Sequence, residues 1–533
     1  MNSADAIVIG AGPNGLVAAN LLADAGWSVI VLEGQDEPGG SVRTAEITAP
    51  GFRNDLCSSF FPLAACPSPI AALGLEDLGL RWLRSPTVLT HITPDNTAVT
   101  LATDLAATAA SLDDFAPGDG RRWRRVVAEW SRVEREFLRV LFTPFPPVRP
   151  AVRLVRATGI GDALRLARRM LLPATTLGRE LFAGQGARLL VTGLALHTDV
   201  PPISTASGGF GLLMAMLAQR YGFPVPEGGA GSLTQALVAR LQRLGGELVC
   251  RAPVVHIDVR YGAARGVRTA DGRAWSARRA VLADVPAPTL YRELLAPAVV
   301  PARILDDLAA FEYDLATVKV DWALSGPIPW RAREAAGSAT IHMGLDGDGM
   351  TRYAAALGSG RIPDEPLLIC GQMTTADPTR SPAGTESFWA YTHLPQRPTW
   401  SPEEIAGVVD RMEQALENAA PGFSSLVLAR RVAGPAALEE ENPNLVGGSL
   451  AGGTNAVHQQ VFLRPIPGLG RSDTPVDRLF LASASAHPGG GVHGGPGANA
   501  ARAALARDRR TTGRLYRAMV QGVQRRVYRE RRP

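Results

Sequence analysis

The sequence predicts an α/β fold in which one parallel sheet is assembled from separate parts of the chain. Three observations support this prediction. The chain opens with an apolar strand, a glycine loop and a helix over residues 5–25, and the same order returns over 478–506. A third glycine loop, followed by a helix and strands, lies between them over 226–283. Because 533 residues exceed the size of one compact core, we expect two domains.

The opening elements form a βαβ pattern. Asp5–Ile9 is a short apolar run with the β-branched residues of a buried parallel strand. The alanine-rich stretch Leu16–Ala25 contains no breaker and predicts a helix. Ser28–Leu32 predicts a second strand, and Glu33 follows it directly. This order of strand, glycine loop, helix, strand and acid is typical of a dinucleotide-binding unit; the alternative is a glycine-rich turn in an ordinary α/β protein.

The first glycine loop has the spacing G-x-G-x-x-G. Gly10 permits a tight turn, Gly12 permits a pyrophosphate to approach the backbone, and Gly15 permits the helix to pack on the strand. Pro13 and Asn14 complete the loop at the N-terminus of the helix. Free N–H groups and the positive end of the helix dipole favour phosphate there. The loop therefore predicts a dinucleotide diphosphate site.

Downstream residues indicate which dinucleotide the site accepts. Glu33, eighteen residues after Gly15, suits the two ribose hydroxyls of an adenosine and argues against the 2′-phosphate of NADP. Gly39, Gly40 and Arg43 form a glycine doublet followed by an arginine, for which a surface turn is the alternative. With the fingerprint upstream, this stretch resembles the flavoproteins with two dinucleotide-binding domains: amine oxidases, protoporphyrinogen oxidases and phytoene desaturases. The resemblance implies FAD, with the doublet and arginine extending its site toward the pyrophosphate and ribityl chain.

A second glycine loop lies near the C-terminus. The predicted strand 478–482 leads into the glycine-rich stretch 487–497, and an alanine-rich helix begins at Asn499. The letters HPGGGVHGGPGANAA resemble the C-terminal signature of phytoene-desaturase-like oxidoreductases. This implies N–H groups near flavin O2 and N1, where negative charge develops on reduction. The residues that the resemblance assigns to the flavin are Gly490, Gly491, Val492 and His493.

One position departs from the family pattern. Many flavoproteins have an acid just after this strand, where it binds the ribityl hydroxyls. This chain has Ser483 there, and a serine hydroxyl is a weaker partner. We therefore expect Ser483 to replace the acid with a weakened ribityl contact.

The same resemblance predicts the organisation of the whole chain: a discontinuous Rossmann-like FAD/NAD(P)-binding domain with an inserted α+β substrate domain. In the FAD-binding domain, the resemblance implies that the backbone of Val254 contacts the adenine. Two helices, Arg121–Val140 and Ile160–Leu172, are predicted in the first inserted region, and a third, Pro402–Ala419, in the second. The predicted parts are residues 1–75, 226–290 and 470–510 for the flavin domain, 76–225 for a helical substrate or lid region, 291–469 for a substrate-binding sheet region, and 511–533 for a basic C-terminal helix.

Composition and charge limit the partners. The net charge is +5, and arginines cluster over 121–179 and 502–532 in sequence that predicts helices. These arginines are either solvated helix faces or a surface attracted to an anionic membrane. No basic motif with interleaved aromatics occurs, which disfavours nucleic-acid binding. Four scattered cysteines predict free thiols and no metal site, and no long apolar run predicts a membrane span, so we expect a cytoplasmic protein with peripheral membrane contact as an option.

The chemistry follows from the resemblance. It implies dehydrogenation of a hydrophobic, polyene-like small molecule, with hydride transfer to flavin N5 and formation of a carbon–carbon double bond. His458, His487 and His493 are candidate catalytic bases because all three lie in glycine-rich loops; structural histidines bonded to backbone are the alternative. Gly228–Ser232 lacks the lysine of a P-loop. The sequence has no second complete G-x-G-x-x-G with its acid, so we do not expect NAD(P) to be bound beside FAD. The electron acceptor is left as oxygen, a quinone or free NAD(P).

Three other functions share these features. One is a redox-neutral polyene isomerase that uses reduced flavin, and another is an amine oxidase with the same fold. The third is a flavin-bound interaction protein without turnover. A homodimer is an open option for the oligomeric state.

Overall fold

The computed structural model describes residues 2–468 and 470–528, and two seven-stranded sheets organise this part of the chain. The first sheet contains strands from three distant segments. Neighbouring strands in it are parallel around Ser3–Ile9, and an antiparallel hairpin extends one edge. Its strands lie in the order Val254–Arg260, Ala263–Thr269, Ala274–Ala283, Ser3–Ile9, Val29–Leu32 and Glu247–Val249, with Leu479–Leu481 also paired to Ala274–Ala283.

The register of the first sheet determines where its loops meet. Ile9 is aligned with both Leu32 and Ala283, and Ala283 is aligned with Leu481. Because all four strands are parallel, their carboxyl ends lie at one edge of the sheet. In doubly wound folds, ligands bind at this edge. This sheet, with a second sheet beside it, confirms the predicted α/β class with a Rossmann-like domain and a substrate domain.

Helices cover both faces of the first sheet. The apolar faces of Pro13–Asp24, Gly231–Arg243 and Gly495–Asp508 bury one side in a common core. Ala302–Ala309 covers the other side, against the hairpin and the end of Ala274–Ala283. Burial on two faces accounts for the continuous apolar composition of Val29–Leu32, all four of whose residues are buried.

The second sheet corrects the prediction of a helical region over 76–225. Thr87–Ile92 and Ala98–Ala102 of that region are strands, and the first pairs in parallel with Ser338–Met343. Both runs are short, and the partner strand lies far away in the sequence. The strands of this sheet lie in the order Val427–Ala433, Ala316–Leu324, Glu386–Leu394, Leu368–Gln372, Ser338–Met343, Thr87–Ile92 and Ala98–Ala102.

Further helices follow the predicted pattern closely. Pro402–Ala419 has the predicted bounds, whereas the helix predicted at 121–140 extends over Asp119–Leu141. The last described helix is Gly513–Val527, and positions 529–533 of the predicted C-terminal helix lie outside the described residues. The remaining α-helices are Pro62–Ala65, Leu105–Phe115, Val148–Thr158, Ile160–Leu171, Ala174–Leu181, Gln185–Ala195, Ser207–Tyr221, Ala287–Thr289, Gly347–Gly358, Met373–Ala376, Phe423–Leu426 and Pro435–Glu441.

Candidate functional site

A cavity of about 380 Å³ lies between the carboxyl edge of the first sheet and the second sheet. Both predicted glycine loops line it, the first through Gly12, Pro13 and Asn14. The second contributes Gly490, Gly491, Val492 and His493. The two ends of the chain therefore converge on one groove, as a single ligand held from both sides requires.

Close backbone contacts explain the glycines of the first loop. A Cβ atom on Gly15 would lie 2.2 Å from the carbonyl oxygen of Gly10, so the helix could not keep its position against the loop. Gly10 has φ of +91°, and its Cβ would lie 2.9 Å from the carbonyl oxygen of Asp284. These contacts satisfy the roles predicted for a tight turn and for helix–strand packing.

The remaining N-terminal candidates lie beside the first loop. Gly39 donates its N–H to the carbonyl of Ala11 at 2.9 Å, which brings the neighbouring Gly40 to the cavity wall. Arg43 donates to the carbonyls of Gly40 and Glu441, at 3.0 and 2.6 Å, and lies outside the cavity lining. Its guanidinium therefore braces the doublet against the segment near Glu441.

Glu33 and Val254 also lie outside the lining. The Glu33 carboxylate accepts hydrogen bonds from the N–H groups of Ala11 and Gln35, at 2.7 and 2.9 Å. These bonds hold the acid at the edge of the glycine loop. Val254 begins the outer strand of the antiparallel hairpin and is partly buried. The structure thus brings Glu33, but not Val254, into contact with the first loop.

The structure does not favour the three predicted histidine bases. His493 lines the cavity, but its Nδ1 accepts from the N–H of Gly495 at 2.9 Å, and its Nε2 then donates to the carbonyl of Gly490 at 3.1 Å. His487 is buried outside the lining, and burial lowers the pKa of both residues to about 4. His458 lies outside the cavity lining: its side chain is 61% exposed, and its Nε2 lies 3.2 Å from the Glu312 carboxylate.

Ser483 lines the cavity where the parallel strand Leu479–Leu481 ends. Its hydroxyl accepts from the N–H of Ser485 at 3.3 Å. Ala484 and Ser485 line the same wall. The position predicted for a ribityl contact therefore faces the groove, with a hydroxyl in place of a carboxylate.

Asp284 is a cavity residue that sequence reasoning missed. It follows the strand Ala274–Ala283, and its Oδ2 accepts from the N–H of Gly15 at 2.8 Å. Burial raises its pKa to about 7; the Gly15 N–H opposes this effect, and the negative charge of Glu33 adds to it. An acid directly after a buried strand was the available signal, and it matches the position of Glu33 after its own strand.

The far end of the cavity is aromatic. Trp389 and Tyr391 stack with ring centroids 6.0 Å apart, and Phe60 packs against Trp389. Trp389, Tyr391 and His393 lie at alternate positions of the strand Glu386–Leu394, so they face the same side of the sheet. This alternation of large side chains was a signal that the sequence offered. A further lining residue, His197, follows the helix Gln185–Ala195.

Arg464 stabilises the cavity wall from outside the cavity. Its side chain is fully buried and donates to the carbonyls of Ala451, Thr454 and Ala484, at 2.8–3.0 Å. Asp314 accepts from two N–H groups of the same wall, those of Leu450 and Ala451. These bonds join Asp314, just before the strand Ala316–Leu324, to residues 450–454, and they join those residues through Arg464 to Ala484, after the strand Leu479–Leu481. Within residues 2–468 and 470–528, no cluster of His, Cys, Asp or Glu has the arrangement of a metal site.

Comparison with known proteins gives the chemical context. The family model described as "Flavin containing amine oxidoreductase" matches residues 14–318. Pyridine nucleotide-disulfide oxidoreductase domain-containing protein 2 of Mus musculus is 27% identical, with 93% of this chain and 92% of that protein covered. Phytoene desaturase (lycopene-forming) of Pseudescherichia vulneris is 26% identical, with 92% and 96% covered. The structure of a putrescine oxidase bound to putrescine superposes with a TM-score of 0.60 at 18% identity, covering 94% of this chain and 98% of that one.

Proposed function

Because this chain belongs to the family of flavin-containing amine oxidoreductases, we propose that it is an FAD-dependent dehydrogenase that forms a carbon–carbon double bond in a hydrophobic small molecule. Membership of this family shows that the protein is an oxidoreductase and that its cofactor is FAD. One observation carries the finer proposal. The cavity that begins at the two glycine loops ends in an aromatic wall, at Phe60, Trp389 and Tyr391.

The residues of the groove fit FAD. The first loop offers backbone N–H groups at a helix N-terminus, with no side chain at Gly12 to obstruct a diphosphate. The second loop offers the N-terminus of Gly495–Asp508, and a Cβ on Gly490 would crowd Ala451 at 3.0 Å. We assign the diphosphate to the first loop and the flavin ring to the second. FAD, when bound, accepts a hydride from the substrate.

The aromatic wall supports an apolar substrate. Leu213, Met214 and Phe223 complete it opposite Trp389. Burial of apolar surface there contributes roughly 25 cal/mol per Å² to binding. Substrate binding would also expel water from the groove, which favours transfer of hydride over exchange with solvent. Similarity to a phytoene desaturase over most of both chains supports the same class of substrate.

Amine oxidation is the second candidate, because an aromatic face of Trp389 or Tyr391 could attract the cation of an amine substrate. Among the described residues, three carboxyl groups line the cavity, and each accepts hydrogen bonds from the protein itself: Asp199, Asp284 and Asp314. They are therefore engaged rather than free to pair with a substrate cation. This arrangement favours the dehydrogenase over the amine oxidase.

An anaerobic titration tests the proposal. Phytoene in liposomes, or putrescine, is added to the purified holoprotein, and the flavin absorbance is followed. A dehydrogenase bleaches with phytoene alone and yields a product two hydrogens lighter by mass spectrometry. Bleaching with putrescine alone would replace the proposal by amine oxidation. Isomerised phytoene that appears only after chemical reduction of the flavin would replace it by the isomerase, and no response of any kind would leave a flavin-bound interaction protein. Reoxidation by oxygen, a quinone or NAD(P)⁺ then identifies the acceptor.

A prediction about pH concerns Asp284. Below pH about 7 the Asp284 carboxyl is neutral. Above that pH it is ionised, so it either repels the diphosphate of FAD or must be protonated before FAD binds. FAD affinity of the wild type should therefore fall with rising pH, by up to about tenfold per unit. Asp284→Asn should bind FAD with a flat pH profile and more tightly in alkaline buffer, as measured by fluorescence titration of apoprotein. Asp258→Asn, in the strand Val254–Arg260, is the control; a flat wild-type profile would contradict the prediction.

We also propose that a basic, apolar face meets an anionic membrane. No residue of the helices Val148–Thr158 and Ile160–Leu171 is buried, and Ile160 and Leu164 are 71% and 66% exposed among arginines. Among the described helices, none has the length and apolar character needed to cross a bilayer. The proposed contact therefore lies on the membrane surface, where an apolar substrate would be available.

Vesicle binding tests this face. The double change Ile160→Glu and Leu164→Glu should weaken cosedimentation with phosphatidylglycerol vesicles at least tenfold, because each buried apolar side chain contributes roughly 1.5–3 kcal/mol. Val255→Glu, at an exposed position on the first sheet, should leave binding unchanged. Equal binding by the double variant and the wild type would reject the membrane face.

A further inference from the structure

Four of the eight histidines gather where the helix Gln185–Ala195 meets the second sheet. His197 and His393 line the cavity, whereas His91 and His342 are fully buried behind them. None of the four belongs to a glycine loop, and none was among the predicted bases.

The central contact joins two imidazole rings. Nε2 of His197 lies 2.7 Å from Nε2 of His342. Two neutral ring nitrogens approach this closely only when one carries a proton and the other accepts it. Behind them, the ring of His91 meets that of His342 edge-on at 88°, and its Nε2 donates to the carbonyl of Leu345 at 2.9 Å. The orientation of His342 is therefore determined from both sides.

The surroundings of the Nδ1 atoms distinguish His197 from the other three histidines of the cluster. Nδ1 of His91, His342 and His393 is buried without a hydrogen-bond partner in the described part of the chain. Nδ1 of His197 likewise has no protein partner there, but it is not sealed in the core. Since His197 lines the cavity, its Nδ1 is the ring nitrogen of this cluster that a substrate can reach.

We propose that His197 is a catalytic residue that accepts the substrate proton at Nδ1, and that His342 is the positioning residue that holds its Nε2. The inference rests on the proposed dehydrogenation. One substrate C–H bond gives up its hydrogen with both electrons, as a hydride, to the flavin. The neighbouring C–H bond breaks, its electron pair becomes the second bond of the new C=C, and its proton goes to Nδ1 of His197. Nδ1 of neutral His197 can accept only in the tautomer with its proton on Nε2, so the shared proton lies on His197 and points to His342.

The electrostatic surroundings suit this role. Burial and, as a smaller cause, the nearby His393 lower the pKa of His197 to about 4, so the ring is neutral and able to accept at physiological pH. A carbon next to one that has lost a hydride is strongly acidic, so a weak base suffices. The titratable groups around His197 are His342 and His393 on two strands of the second sheet and Asp199 in its own loop.

The chain offers matched variants for the test. His197→Gln removes the base, His342→Phe removes the hydrogen bond, and His342→Gln restores a side-chain acceptor for the Nε2–H of His197. His256→Gln is the control, because His256 lies in the strand Val254–Arg260 of the first sheet, outside the cavity lining and the histidine cluster. Flavin content and flavin absorption maxima of each purified holoprotein show that the site is intact before any rate is compared.

Single-turnover bleaching by phytoene is the first readout. His197→Gln should slow it by about 100-fold or more, the usual contribution of a general base, whereas His256→Gln should stay within about threefold. The wild-type rate should fall in acid, as His197 becomes protonated, and His342→Phe should shift that pH profile, with partial rescue in His342→Gln. Bleaching at the wild-type rate by flavin-loaded His197→Gln would overturn the proposal.

The second readout requires no substrate. Nitrogen-15 imidazole spectra of the holoprotein should show one proton shared between two histidines in the wild type and in His256→Gln. The signal of this shared proton should be absent from the spectra of His197→Gln and of His342→Phe. A wild-type spectrum without this proton would overturn the pair. The two proposals fail differently: a wild type that phytoene does not bleach counts against the dehydrogenase, whereas unchanged bleaching in His197→Gln counts against the base.

Discussion

Gly497→Ala is expected to abolish FAD binding, although position 497 is nearly a whole chain length away from the first glycine loop. A Cβ atom at Gly497 would lie 1.9 Å from the carbonyl oxygen and 2.7 Å from the carbonyl carbon of Asn14. Both are backbone atoms at the start of a helix, so neither can move aside like a flexible side chain. The helix Gly495–Asp508 would have to retreat from Pro13–Asp24, and the two loops would no longer face each other.

Fluorescence titration of apoprotein with FAD measures this effect, and we expect affinity to fall by about 100-fold or more, since the ordered site is lost with the contact. Gly522→Ala is the matched control: it also adds a methyl group to a helix, but a Cβ there meets no atom within 4 Å. It should bind FAD as the wild type does. Normal flavin content in purified Gly497→Ala would show that the loops tolerate separation.

Arg464→Met is expected to destabilise the folded protein by about 3–5 kcal/mol, the usual cost of removing one partner from a buried charged network. The guanidinium is fully buried, and burial lowers its pKa to about 10. Methionine fills similar space but leaves the carbonyls of Ala451, Thr454 and Ala484 without their donor. Each unpaired buried carbonyl costs about 1–3 kcal/mol.

Urea unfolding of the holoprotein measures this change, together with flavin release along the transition. Arg268→Met is the control, because Arg268 is exposed and its ion pair with Asp258 contributes about 0–1 kcal/mol. The Arg464 variant should unfold at clearly lower urea and release FAD first, since its carbonyls belong to the cavity wall. An unchanged midpoint would mean that other contacts hold this wall.

Features that depend on neighbouring residues could be predicted well from sequence. Pro402–Ala419 has the predicted bounds because Ser401 and Glu404 cap each other at its start, a pattern confined to four residues. The opening βαβ unit was predicted for a similar reason. Its glycine spacing and its apolar runs express steric and burial requirements that act within about thirty residues.

Features that depend on distant partners could not be predicted. Thr87–Ile92 is a strand because Ser338–Met343 lies beside it, about 250 residues later. His458 and His493 both lie in glycine-rich stretches, yet one is exposed and the other lines the cavity. Local composition is the same in the two cases, so only the path of the chain distinguishes them.

The sequence by itself determined the α/β class and the two loops that meet around the groove, because phosphate contact and close packing demand glycine at fixed spacings. Its resemblance to known flavoproteins implied the FAD cofactor. The tertiary structure alone decided which polar groups share that groove. Asp284 reaches Gly15 across 269 positions, and His342 reaches His197 across 145. Such pairs form where a helix or the loop after it packs against a distant strand, and no local pattern encodes that contact.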